Sequence, residues 1–177
     1  MEQNSVIEAI INRRSIRKYK PDMIPKEVLD EIVQAGTYAA NGRGHQSAII
    51  IAVTDPQLRD RLSKMNCKIG RWDSDFDPFY GAPVVLIVLA EKDWNTCVYD
   101  GSLVMGNLML AAHSLGIGSC WIHRAKEEFE TEEGRQILRD LGIQGDYEGI
   151  GHCILGYSDE EHPIAAARKE HHVYYRE

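Results

Sequence analysis

Residues 97–123, CVYDGSLVMGNLMLAAHSLGIGSCWIH, predict a long apolar helix followed directly by an extended segment, and this pair decides the fold class. From Cys97 to about Leu115 the helix is apolar or small almost all round, which is typical of a helix buried in a core or in a subunit interface. The glycines that follow predict a turn, and GIGSCWIH continues as a strand. Three small residues would let another helix approach closely: Gly101, Ser102 and Gly106.

The rest of the chain alternates helical and extended patterns around this unit. Runs of β-branched residues predict a central strand at 48–54, and buried strands at 84–91 and 149–158. Residues 66–81 show no clear period, which predicts an irregular loop whose aromatic side chains would shelter a ligand. Helices interspersed with strands predict an α/β (α+β) sandwich with helices on a mixed sheet. The predicted helices begin at Asn4 or Ser5 and end near Asn12, span 25–40, run from Asp55–Pro56 to about Met65, and lie within 131–143.

The sequence predicts a single domain over residues 1–177, because no repeat, low-complexity segment or linker divides it. The C-terminal tail, residues 158–177, has strand character only at HVYY, residues 172–175. Such a tail either frays or pairs with a sheet edge, including an edge on another subunit.

The composition is that of an ordinary soluble globular protein, with 44% hydrophobic and 27% charged residues. A net charge of -7 and a pI near 5.5 argue against a general nucleic-acid binder, which usually carries a basic face. The N-terminal MEQNSVIEAII lacks the pattern of a secretion signal, and Asn107 and His113 interrupt the longest apolar stretch. We therefore expect a cytoplasmic protein without nucleic-acid or membrane partners.

Cysteine and histidine patterns favour neither a metal site nor a covalent nucleophile. No HExxH or HxH arrangement with carboxylates occurs, so no metal ligands are expected. Cys120 and His123 are three positions apart in an extended segment, which does not bring thiol and imidazole together. The cysteines form no CxxC pair, and we expect buried thiols at Cys67, Cys97, Cys120 and Cys153.

The stretch NRRSIRKYK, residues 12–20, places five cations in nine positions at the end of the first predicted helix. Arg13, Arg14 and Arg17 offer planar forks of donors and Ser15 a hydroxyl, which suit a phosphate monoester. A solvated basic helix end would give the same pattern. No Walker A sequence is present, and no GxGxxG follows a strand.

Arg168 and Lys169 form a second basic pair, in the tail. By itself the pair is typical of solvated surface charge. Beside the N-terminal arginines it would close a phosphate pocket from the other side.

Four stretches resemble, in order and spacing, the nitroreductase family of FMN-dependent oxidoreductases: residues 11–47, GAPVVLIV (81–88), residues 100–123, and LGYS with the later RKE. RRSIRKY and LMLAAHSLGIGSCWI are the most specific parts, and the resemblance covers nearly the whole chain. It implies a three-layer sandwich on a mainly antiparallel sheet. It also implies an intertwined homodimer with FMN sites at the interface, to which the helix around 97–115 and an exchanged tail would contribute.

The resemblance implies roles for individual residues. Arg13, Arg14 and Ser15 correspond to residues that hold the FMN phosphate and ribityl chain. Arg17 corresponds to a cation near the pyrimidine edge of the flavin, where positive charge stabilises the reduced form. The segment over the flavin ring corresponds to Trp121, Ile122 and His123, and the basic residue that completes the phosphate cradle to Arg168, together with Lys169.

The loop AANGRGHQS, residues 39–47, corresponds to a family segment with the pattern Pro-Ser-x-x-Asn-x-Gln-Pro-Trp. Gln46 is retained, whereas Asn41, Gly44 and residues 47–48 depart from the pattern. In the family this loop contacts flavin from the partner subunit. The resemblance therefore implies FMN contacts from Asn41, Gly42, Arg43 and Gln46.

The implied activity is transfer of hydride from NADH or NADPH to FMN, and then to a nitroaromatic, a quinone or a similar acceptor, in a ping-pong cycle. The flavin carries this chemistry, so no catalytic side chain is demanded, although His123 is a candidate proton donor near N5. A flavin-binding or redox-sensing protein with little turnover is the alternative. A third interpretation is a phosphate-binding module that uses the arginine cluster alone.

Overall fold

In the computed structural model, which describes residues 4–177, a four-stranded sheet forms the middle of three layers. Its strands lie in the order β1, β2, β4, β3, and each neighbouring pair is antiparallel. The strands are β1 (Ala48–Val53), β2 (Val84–Glu91), β3 (Gly118–Ile122) and β4 (Tyr147–Gly156). The helices are α1 (Ser5–Asn12), α2 (Lys26–Thr37), α3 (Pro56–Gly70), α4 (Cys97–Ser114), α5 (Ala125–Glu130) and α6 (Glu132–Asp140).

Strand β2 shows why the sheet has helices on both faces. All its residues up to Ala90 are fully buried, as a continuous apolar run predicts for a central strand. Val85, Ile87 and Leu89 pack with α3, α5 and α6, whereas the alternate residues pack with α2 and α4. The predicted sandwich with a mainly antiparallel sheet is therefore confirmed.

Local signals place the helix starts where the sequence predicts them. The Asn4 side chain accepts hydrogen bonds from the amides of Val6 and Ile7, and so caps α1. Asp55 caps α3 in the same way through the Leu58 amide, with Pro56 in the first turn. The prediction of four buried cysteines is also confirmed.

Helix boundaries differ from the prediction in three places. Helix α3 continues to Gly70, so the predicted loop is wrong for residues 66–70; Asn66 and Cys67 are polar or small but face the core. Helix α2 ends at Thr37 instead of residue 40. The six-residue helix α5 was not predicted, because so short a segment carries too little periodicity.

Strand β1 lies at an edge of the sheet, which corrects the prediction of a central strand. A run of β-branched residues indicates burial of both faces but does not say whether both edges are paired. The edge of β1 opposite β2 has no strand partner within residues 4–177. The tail beyond residue 160 forms no helix or strand in the single chain, so strand formation by HVYY stays a prediction about a second subunit.

The small residues of α4 serve a strand as well as a helix. A Cβ added at Gly101 would meet Ile150 of β4 at 2.4 Å, whereas α2 approaches α4 through its own Gly36, opposite Leu108. Helix α4 is also not buried all round, since Tyr99 is 72% exposed and Leu103 49%. Within residues 4–177, no helix is both long and apolar enough to cross a bilayer.

Candidate functional site

The arginine cluster lies against the outer edge of β3. Ser15 and Ser119 form a parallel bridge, and the Ile16 amide donates to the Ser119 carbonyl at 3.0 Å. Tyr19 then bridges to Ser158, just beyond β4. These two attachments fix Arg13 to Arg17 beside the turn that leads from α4 into β3.

A cavity of about 280 Å³ opens between this segment, the turn 116–119 and the start of the tail. Arg14, Ser119 and His113 line it, together with Ser158, Glu160 and His162 from the tail. The Arg14 Nη1 donates to the carbonyls of Ile11 and Arg13, at 2.7 and 2.8 Å. Two of the lining residues have a buried polar atom without a partner among the described residues, Arg14 Nε and Ser119 Oγ, and the neighbouring Arg13 has a third, Nη1.

Unpartnered buried donors are costly, so these atoms indicate a missing acceptor. Two guanidinium groups and a hydroxyl match the oxygens of a phosphate group, which arginine binds in a planar, bidentate fashion. The cavity is slightly smaller than the range of about 300–1,000 Å³ that is usual for ligand pockets. We infer that it takes one end of a larger ligand.

The ionisable groups around the cavity report local positive charge. Burial, and then the charges of His162, Arg13 and Arg14, lower the pKa of the half-buried His113. Glu160 offsets part of this charge, because its carboxylate accepts the Arg17 amide at 2.5 Å. An anion bound in the cavity would offset the positive charge that remains and so lower the electrostatic free energy of the site.

Cys120 lies beneath the arginines but is not arranged as a nucleophile. Burial raises the pKa of its thiol, and Arg17, Ser15 and Arg13 only partly oppose this shift. The Cys153 thiol on β4 is fully buried, and its pKa is raised for the same reason. Both groups therefore remain protonated thiols at neutral pH.

The end of β3 presents the three residues Trp121, Ile122 and His123 in different ways. The half-buried Trp121 packs over Gly151, where any Cβ would lie 2.3 Å from the indole nitrogen. Ile122 is buried in the core, so only its backbone is available to a ligand. His123 is exposed, and with Trp121 and Arg124 it lines a cavity of about 180 Å³.

The loop before β1 is anchored by a residue that the sequence analysis did not single out. The buried Asp100 accepts hydrogen bonds from the Gly42 amide at 3.0 Å and from the Ser47 hydroxyl at 3.0 Å. Asn41 accepts the Gln46 amide at 3.0 Å, which closes the loop on itself. Asn41 and Gln46 line a cavity of about 370 Å³ beside β1, while Arg43 is exposed at φ 54°.

The arginine cluster and this loop lie at opposite corners of the sheet. Ser119 pairs with Leu155 and Leu155 with Val84, whereas the loop enters β1 at Ala48, which pairs with Ala90. Strand spacing and rise then put the two corners roughly 25 Å apart. A single small ligand cannot contact both within one chain.

Arg168 and Lys169 lie in the exposed tail. Among residues 4–177, no hydrogen bond or ion pair joins either of them to the arginine cluster. The Arg168 Nη2 donates to the Ala166 carbonyl at 2.7 Å. Their part in a phosphate cradle stays a prediction.

Comparison with known proteins places the chain in a family. A sequence model of the nitroreductase family matches residues 10–157. The chain belongs to the nitroreductase family. Its three-layer architecture is therefore that of a nitroreductase, as the sequence resemblance implied.

Solved and curated nitroreductases support the fold along the whole chain. A nitroreductase from Bacteroides fragilis, solved with bound FMN, is 28% identical and superposes with a TM-score of 0.89, covering 99% of this chain and all of its own. A protein of Methanothermobacter thermautotrophicus named "Putative NADH dehydrogenase/NAD(P)H nitroreductase" is 33% identical over 120 residues. A namesake from Archaeoglobus fulgidus is 29% identical over 88% of this chain.

The chain is shorter than several curated nitroreductases that it matches. The aligned part spans 59% of the Methanothermobacter protein, 86% of the Archaeoglobus protein and 57% of a Bacillus subtilis FMN reductase (NADPH). Family and fold follow from these matches, whereas activity and substrates need their own argument.

Proposed function

We propose that the chain is an FMN-dependent oxidoreductase that takes hydride from NAD(P)H and reduces nitroaromatics, quinones or similar acceptors in a ping-pong cycle. The observation that carries the proposal is the set of unpartnered buried donors at the β3 edge: Arg13 Nη1, Arg14 Nε and Ser119 Oγ. The names of similar proteins, which include an NADPH-flavin oxidoreductase of Vibrio harveyi, support it.

The residues at the β3 edge fit one end of FMN. Arg13, Arg14 and Ser119 would hold the phosphate, because their free donors match its oxygens. Arg17, exposed on the same segment, would place positive charge near the ring. Bound FMN supplies the hydride-accepting chemistry, and the protein supplies binding, orientation and charge.

The other half of the site would come from a second copy of the chain. Within one chain the loop 41–46 is too far from the arginine cluster to contact the same FMN. A homodimer in which each copy contributes its loop to the other's arginine cluster would remove this difficulty. Asn41, Gly42, Arg43 and Gln46 are then the residues that would complete the site.

Proton supply does not demand a buried acid at this site. His123 is exposed beside Trp121, so water reaches the same region. We propose that His123 shapes the site mainly through its backbone, whose carbonyl accepts a hydrogen bond, and less through its imidazole.

A visible spectrum of the purified protein tests the proposal first. We expect a yellow protein, or uptake of added FMN by colourless protein, because the free donors need an anionic partner. Anaerobic bleaching by NADH or NADPH, followed by reoxidation with a nitroaromatic or a quinone, then tests turnover. Absence of FMN binding contradicts the proposal, and FMN binding with slow bleaching by both nucleotides favours a redox-sensing role instead.

A further inference from the structure

Three polar side chains form a network inside the core, beneath the end of β3. Glu128 of α5 and His152 of β4 are both fully buried, and their Oε2 and Nε2 atoms lie 3.0 Å apart without the alignment of a hydrogen bond. Asn66 of α3, also fully buried, donates from one Nδ2 to Glu128 Oε1 at 2.5 Å and to the His123 carbonyl at 2.8 Å. Residues of three elements thus meet in the network, and Asn66 joins it to the His123 carbonyl.

Stability alone does not account for this network. Several of its polar atoms, including Asn66 Oδ1 and His152 Nδ1, have no hydrogen-bond partner among the described residues. A buried network that is only partly satisfied is worse than apolar packing of the same volume. The surrounding core is apolar, with Phe79 packed 5.2 Å from the His152 ring.

The network holds a segment whose conformation needs support. Arg124, directly after His123, has a φ of 82°, which is costly for a residue with a side chain. Its guanidinium stacks 4.3 Å over the ring of Trp72, and the Trp72 amide donates to the Cys67 carbonyl. The end of α3 and the residues just after it therefore hold residues 123–124 by two contacts. Asn66 binds the His123 carbonyl in the core, and Trp72 stacks on the Arg124 side chain.

We propose that Asn66, Glu128 and His152 are positioning residues that set where the backbone of residues 122–124 lies against the ring of bound FMN. This rests on the proposed function, in which that backbone borders the ring. The Asn66 amide bridges a carboxylate and the His123 carbonyl, so the carbonyl's position depends on Glu128. His152 lies against the other oxygen of that carboxylate, at 3.0 Å, and limits where Glu128 can move.

Two substitutions test the network, and a third on the same helix is the control. Asn66→Ala removes both hydrogen bonds from Nδ2. Glu128→Gln keeps the volume but replaces the carboxylate that accepts from Asn66 with a neutral amide, whose oxygen is the weaker acceptor. Ser63→Ala, one turn earlier on α3, removes a partly buried contact to Asp77 that does not reach residues 122–124.

The readouts are amide hydrogen exchange of residues 122–124 in the FMN-free protein, the dissociation constant of FMN and the flavin midpoint potential. We expect Asn66→Ala and Glu128→Gln to speed exchange at 122–124 and to weaken FMN binding about tenfold, the scale of one lost hydrogen bond to a charged or buried group. The midpoint potential should shift in both variants. Ser63→Ala should lower the melting temperature and leave all three quantities unchanged.

Folded variants with wild-type exchange, FMN affinity and potential would overturn the positioning role, even if both melt at lower temperature. If Asn66→Ala does not fold, the volume-conserving Glu128→Gln carries the same three measurements. Failure of the wild-type protein to bind FMN would instead contradict the proposed function, and the exchange data would separate the two failures.

Discussion

Arg13 and Arg14 are both half-buried, and neither has a carboxylate partner among residues 4–177. Arg59, Arg61 and Arg139 are each within 4 Å of an acidic side chain, whereas no ion pair to Arg13 or Arg14 is present among residues 4–177. Burying a guanidinium without an anionic partner costs free energy, because the group loses water, and a bound anion would offset that cost. The charge at this position therefore belongs to binding more than to stability.

Arg13→Ala and Arg168→Ala should each weaken FMN binding by about 1.5–3 kcal/mol, the scale of hydrogen bonds to charged groups. A fluorescence titration with FMN measures the effect. Arg61→Ala is the matched control, because Arg61 pairs with Glu133 on the exposed surface and should leave FMN binding unchanged. Unchanged affinity in Arg168→Ala would remove that residue from the phosphate cradle.

Asp77 makes stability depend on pH in the acid range. Burial would raise the pKa of its carboxyl, but hydrogen bonds from Arg59, Ser63 and the Gly81 and Phe79 amides outweigh burial and hold the pKa below 3.8. The folded state therefore binds the proton less readily than the unfolded state. This stabilisation is fully present above about pH 3.8 and is lost as the pH falls through the folded pKa.

Asp77→Asn should lower the free energy of unfolding at pH 7 by about 1.5–3 kcal/mol, because charged hydrogen bonds are lost. The difference from wild type should shrink as the pH falls below 3.8, which urea unfolding at several pH values would measure. Asp75→Asn is the control, since Asp75 is exposed on the same loop. A difference that persists at pH 2–3 would contradict the assignment.

Residues of the candidate site stand out in the sequence only where their pattern is local. The arginines and Ser15 stood out because five cations occupy nine positions. Ser119 and Asp100 did not, since each acts only through a contact with a segment that is distant in sequence. The same reason hid Asn66, whose partners lie 57 and 62 positions away.

At the scale of elements, α5 packs so closely on β4 that one glycine decides the contact. A Cβ at Gly149 would lie 2.2 Å from the backbone carbon and oxygen of Ala125. Backbone atoms cannot rotate away as a side chain does. The approach of α5, and with it the place of Glu128, therefore depends on the absence of a side chain there.

Gly149→Ala should destabilise the fold by about 1–3 kcal/mol or more, as overpacking against rigid backbone does. Gly101→Ala is an informative control because its Cβ would meet side-chain atoms of Ile150, the nearest at 2.4 Å, instead of backbone atoms. The gain in helix propensity would offset part of that cost. Thermal unfolding compares the two, and a smaller loss for Gly149→Ala than for Gly101→Ala would contradict the argument.

Element types were easier to predict than their limits or neighbours. The apolar runs at β1 and β2 predicted strands correctly, because β-branched residues suit a pleated surface. They could not show that β1 has an open edge, since hydrophobicity reports faces and not hydrogen-bonded edges. Likewise α3 extends beyond its apolar pattern, because the polar Asn66 is hydrogen-bonded to partners in the core.

At the scale of the whole molecule, apolar surface remains uncovered on one side of the sandwich. Four apolar residues of α1 are each more than half exposed, and α4 adds others. Exposed apolar side chains concentrated on two helices indicate an interaction surface. The residues are Val6, Ile7, Ile10 and Ile11 on α1, with Val98, Tyr99 and Leu103 on α4.

We predict that the protein sediments as a homodimer with twice the 20.0 kDa chain mass, and that Leu103→Asp both dissociates it and weakens FMN binding. A charge at a buried interface is costly, and in the proposed homodimer the two corners of the site would meet between chains. Leu141→Asp is the control, because Leu141 is 47% exposed at the end of α6. A monomeric Leu103→Asp protein that binds FMN normally would place the whole site in one chain.

The sequence by itself determined the order of the strands and of every helix except α5, the burial of β2 and the arginine cluster, because side-chain periodicity and local charge are properties of neighbouring residues. Only the tertiary structure decided that β1 is an edge, that Ser119 joins the arginines and that Asn66 and Glu128 meet beneath His123. These facts depend on pairs of residues far apart in the chain, and their contact is set by the packing of whole elements. No local pattern encodes that distance.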